Sequence, residues 1–89
     1  MSEQSKNSEG MPFSAFVLSL STTALAALGQ CDDPAFEDLP RDPVIARHNI
    51  DLLLMLRDKT KGNLTAEEEN LLSSVIYDLQ MRYLRETQR

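Results

Sequence analysis

The sequence predicts an all-α fold of three helices, over about residues 12–29, 43–61 and 65–87. Three observations carry that expectation. Apolar residues recur at helical spacing in three separate stretches. The segment Lys61-Gly62-Asn63-Leu64-Thr65 holds a helix stop and a helix start back to back. The charges around it suit both helix dipoles: Arg57, Lys59 and Lys61 crowd the C-terminal end of one run, and Glu67, Glu68 and Glu69 the N-terminal end of the next. Such a junction predicts an antiparallel hairpin of the last two helices. Gly62 can take the left-handed conformation that closes the earlier helix. Thr65 can cap the later one, with Glu68 three residues on in a capping-box arrangement.

A chain of 89 residues is one domain at most. Residues 1–10 (MSEQSKNSEG) are polar, have no apolar period and read as a disordered tail; residues 11–89 read as a single helical domain. So short a chain buries a modest core and usually needs a disulfide, a metal or self-association. Its single cysteine, Cys31, excludes an internal disulfide, and one histidine beside it makes a poor soft-metal set. Self-association is left, and no cofactor or metal is expected. The formal charge is −5, with only nine Lys and Arg, too few for a phosphate backbone or an anionic membrane surface. A lone reduced thiol fits the cytoplasm.

In the first helix, Pro12 suits the first turn, and Ser14 or a residue just before it can help cap. Phe13, Phe16, Val17, Leu20, Ala24, Ala27 and Leu28 form one stripe, and Leu18 and Leu25 a second line. No charge occurs between Glu9 and Asp32, so the helix is apolar on most sides and expects burial on most sides. Its length raises a membrane question. Four hydroxyl residues keep its hydrophobicity low, and no basic cluster or aromatic belt flanks it. Leu28-Gly29-Gln30-Cys31 has the outline of a lipoprotein cleavage box. Gln30 is poorly suited there, and Lys6 between Glu3 and Glu9 makes no positive leader. A membrane role is therefore not expected.

Residues 30–42 form an acidic, proline-containing loop in which Phe36 and Leu39 are expected to fold back onto the helices. Asp32, Asp33, Glu37, Asp38 and Asp42 invite a calcium reading, but the alternating Asp-x-Asp-x-Asp-Gly spacing is missing. Asp42 is the expected N-cap of the second helix, with Pro43 at its favoured first position. In that helix Ile45, Leu52, Leu53 and Leu56 can share one face, with Ile50 and Leu54 on another. Arg47 and Asp51 are spaced to pair. His48 lies at the edge of the apolar face and is expected half-buried and hydrogen-bonded. In the third helix Leu72, Val75, Ile76, Leu79 and Tyr83 make the main stripe, and Tyr77, Met81 and Leu84 a second line.

All three helices carry more apolar surface than a two-helix contact needs, and the first has hardly any polar face. In water it would expose a patch larger than monomers usually tolerate. The expected resolution is a homo-oligomer, a dimer, with the first helix near the two-fold axis. Its candidate interface is Phe13, Phe16, Val17, Leu20, Ala24 and Leu28, joined by Leu54, Tyr77 and Met81 from the other helices. Ser19, Ser21, Ala24 and Ala27 would permit close approach there. An unidentified protein partner is the other expected contact.

Two blocks, FSAFVLSLSTTALAALG and IDLLLMLRDKTKGNLTAEEENLLSSVIYDLQMRYL, resemble the small bacterial domain-of-unknown-function 1844 family. The segment Lys59 to Thr65 is the most distinctive. The resemblance implies a short, soluble, all-helical bacterial protein and brings no activity, cofactor or catalytic residue with it. The residues agree: Cys31, His48, Asp51, Tyr77 and the loop acids fall in no nucleophile, metal or phosphate-binding pattern. A non-catalytic interaction protein is the leading expectation. A small-ligand or membrane-associated protein using the first helix is the alternative, and an enzyme comes last.

Overall fold

The computed structural model describes residues 12–31, 34–36 and 40–88. They form three α-helices, α1 (Phe13–Ala27), α2 (Pro43–Lys59) and α3 (Ala66–Thr87), with one 3-10 turn at Pro34–Phe36 and no strand among the described residues. The expected polar tail, the acids Asp32, Asp33, Glu37 and Asp38, and the fold-back of Leu39 and of the Phe36 side chain lie outside the described residues.

The start of α1 differs from expectation. Pro12 is the N-cap, in an extended conformation, and no side chain caps the helix, Ser14 included. Pro12 has no hydroxyl or carboxylate to offer the first amides, and its carbonyl accepts the first intrahelical bond from Phe16 N at 3.1 Å, as an N-cap carbonyl does. The other end is closed by Gly29, at φ +75°. Its N–H donates to Ala26 O at 3.0 Å and the Gln30 N–H to Leu25 O at 2.8 Å. That bond pair is a Schellman closure, which needs a left-handed residue in this place. The Asp42 N–H then reaches back to Ala27 O at 2.8 Å, so the entry of α2 is tied to the exit of α1.

α2 starts as expected. Asp42 Oδ1 accepts from Val44 N at 3.0 Å and Ile45 N at 3.3 Å, and Pro43 opens the helix. It ends two residues early, at Lys59, with Thr60 as C-cap. Gly62 is left-handed at φ +85°, two residues past that cap. It is the third residue of a turn in which Asn63 N donates to Thr60 O at 2.8 Å, where a positive φ suits a type II turn. Thr65 and Glu68 make both halves of the capping box: Glu68 N to Thr65 Oγ1 at 3.1 Å, and Thr65 N to Glu68 Oε1 at 2.9 Å.

Each helix packs on the other two. Val17 and Ala24 from α1, Ile50 and Leu53 from α2, and Leu72, Ile76 and Leu79 from α3 form the main core. A satellite cluster joins Ala27 and Leu28 to Ala46, with Tyr83 packed against it. Two expectations are corrected here. The buried side of α2 is Ala46, Asn49, Ile50 and Leu53, not the Ile45–Leu52–Leu53–Leu56 face; Ile45 is exposed. Small residues explain the turn of the helix, since Ala46 lets α1 come close through Ala27. His48 is also exposed rather than half-buried, because the core lies on the other side of α2.

Candidate functional site

Three of the nine residues proposed for an interface are consumed inside the chain. Val17, Ala24 and Leu28 are buried in the core, so they are unavailable to a second copy. Ala27 is likewise inside, which removes it from any close approach at a two-fold axis. Phe13, Leu20 and Leu54 are half-buried against the main core. Phe16, Tyr77 and Met81 remain exposed, and Leu18 joins them.

On α1, Phe16 is 41 % and Leu18 49 % exposed, with Ala15, Ser19 and Thr23 exposed beside them. Two hydroxyls of this face are turned inward to their own backbone. Thr22 Oγ1 donates to Leu18 O at 3.0 Å, and Thr23 Oγ1 to Ser19 O at 3.2 Å. Such back-bonded hydroxyls need less from water than free ones. The face has neither an acid nor a base, so nothing on it resists dehydration strongly.

A second uncharged line runs along α3 through Tyr77, 67 % exposed, Met81 and Leu84. Leu84 borders a groove between α2 and α3 with Ile50, Leu54, Gln80 and Tyr83, and Arg47 stands at its rim. The Arg47 guanidinium is held above its usual pKa, first by a hydrogen bond with the Tyr83 phenol and then by the Asp51 carboxylate. Its ion pair with Asp51 spans 3.7 Å and is exposed on both sides, which makes it a weak contact.

A polar cluster missed by the sequence reading joins the end of α1 to the end of α3. Gln30 Oε1 accepts from Arg82 Nη1 at 2.7 Å, and Gln30 Nε2 donates to Glu86 Oε2 at 2.9 Å. Glu86 also pairs with Arg41, and Arg82 with Asp78 at 2.8 Å. A guanidinium only donates and a carboxylate only accepts, and the Gln30 carboxamide, which does both, bridges them.

The remaining reactive candidates are dispersed. Cys31 is a free, half-buried thiol, His48 is exposed, and the Asp42 carboxylate is occupied by the α2 cap. Among the described residues no three His, Cys, Asp or Glu side chains are grouped to hold a metal ion. No described helix is long and apolar enough to cross a membrane.

A family model described as "Domain of unknown function (DUF1844)" matches residues 10–85. The chain belongs to the DUF1844 family. The match takes in both blocks on which the resemblance rested and the connection between them. No significant match was found among curated proteins or among solved structures. Membership in DUF1844 therefore defines the lineage of the fold and assigns it no chemistry.

Proposed function

We propose that this protein is a non-catalytic, cytoplasmic helical interaction protein that acts as a homodimer through the outer face of α1. The observation that carries the reading is that face itself: two half-exposed large apolar side chains, small neighbours, back-bonded hydroxyls and no charge. A second copy suits it better than a charged partner would. The chain as a whole is net acidic at −5, and two copies meeting along α1 keep their charged surfaces apart. A two-fold contact would bury Phe16 and Leu18 from both subunits, contributing on the order of 1 kcal/mol for each half-exposed side chain.

The scaffold behind the face is read as an antiparallel α2–α3 hairpin. Arg57 and Asp58 near the end of α2 line one groove with Glu69 and Ser73 near the start of α3. Arg47 and Ile50 near the start of α2 line another with Tyr83 and Leu84 near the end of α3. The dispersal of Cys31 and His48 supports the non-catalytic part of the reading.

Sedimentation equilibrium at micromolar concentration tests the proposal. The wild-type chain should run as a dimer, and Phe16→Glu with Leu18→Glu as a folded monomer with unchanged helical circular dichroism. Val44→Glu, at an exposed site on α2, should remain dimeric. A compact wild-type monomer would overturn the reading.

A further inference from the structure

We infer that the last turns of α3 are held down by a polar latch centred on Gln30, and that this end of the bundle opens as a local unit while the main core stays closed. The bonds there are of one kind. Gln30 ties α1 to Arg82 and Glu86, and Arg41 ties the entry of α2 to Glu86. Arg41 also lies over Gly29, where an added Cβ would come within 2.9 Å of its Nε. The apolar packing beneath is slight: two alanines, Leu28 and part of Tyr83. The main core, in contrast, has five fully buried branched side chains among its members, Val17, Leu53, Leu72, Ile76 and Leu79. One end is therefore held by charge and the rest by burial.

The two kinds of force respond differently to salt. Screening weakens the charged part of the latch, since the Arg41 side chain of the Arg41–Glu86 pair is 58 % exposed. Hydrophobic burial is not weakened in this way. Opening uncovers Leu28, Ala27 and Ala46, an apolar surface that the closed state hides. Gln30 is the keystone, because leucine can make neither of its bonds and glutamate would repel Glu86.

Native-state amide hydrogen exchange on the full chain tests this. The Asp42, Tyr83 and Leu84 amides should exchange by a shared opening, faster than those of Leu53 and Ile76. Raising NaCl from about 0.05 to about 1 M should speed the first group by about three- to fivefold relative to the second, as expected from losing a surface ion pair. Gln30→Leu should give the same acceleration at low salt, and Glu86→Gln should remove most of the salt response. Exchange of both groups at one rate at every salt concentration would overturn the latch. So would a Gln30→Leu protein whose Asp42 and Leu84 amides stay as protected as in the wild type.

Discussion

Two glycines with the same backbone sign differ in what surrounds them. Gly62 has nothing within 4 Å of an added Cβ, so a substitution there meets only the left-handed backbone. Gly62→Ala is expected to cost about 1–2 kcal/mol in urea unfolding. Gly29→Ala meets the same backbone cost and must also push aside the Arg41 side chain that pairs with Glu86. It should cost measurably more than Gly62→Ala, and the excess should shrink in an Arg41→Ala background. At the α3 cap, Thr65→Ala leaves the Glu68 amide without its partner and should cost about 1 kcal/mol by the same assay. The Thr65–Glu68 box and the Asp42 cap were legible in the sequence because both partners lie within a few residues of each other. Gln30 was not: its partners stand 52 and 56 positions away, and only the packed fold brings them together.

The helices were legible as elements, but their rotation was less so. The run Leu52-Leu53-Leu54-Met55-Leu56 covers more than half the circumference of α2, so periodicity alone does not select a buried side. Packing does, through Ala46 and Asn49. The Asn49 amide donates to Ile45 O at 2.9 Å, which gives this buried polar side chain a partner on its own helix. The expected consequence is a contrast between neighbours. Leu53→Ala should cost about 2–5 kcal/mol by chemical denaturation, as for a fully buried leucine. Leu52→Ala, at a half-buried position, should cost clearly less. α3 presented no such ambiguity: charged and hydroxyl residues alternate with Leu72, Ile76 and Leu79 tightly enough to mark one side. α1 presented the opposite problem. Having no charge at all, it offered no mark of the wet side, and Val17, Ala24 and Leu28 were drawn outward when the core had claimed them.

For the molecule as a whole, the dimer reading makes stability depend on amount. Association favours the folded state by mass action, so the thermal midpoint should rise with protein concentration. A scan from about one to about a hundred micromolar would show it, and the Phe16→Glu and Leu18→Glu protein should show no such rise. One bond described above has a consequence for how this chain could be lengthened. Because the Asp42 N–H closes onto Ala27 O, the two ends of the connection from α1 to α2 are stapled together in the closed bundle. Lengthening that connection is expected to add loop entropy, about 0.6 kcal/mol for each doubling of length, and urea unfolding of a series of inserts after Cys31 checks it. If the series follows that slope, the staple makes this connection a berth for guest sequence, where a reporter or recognition peptide can be carried.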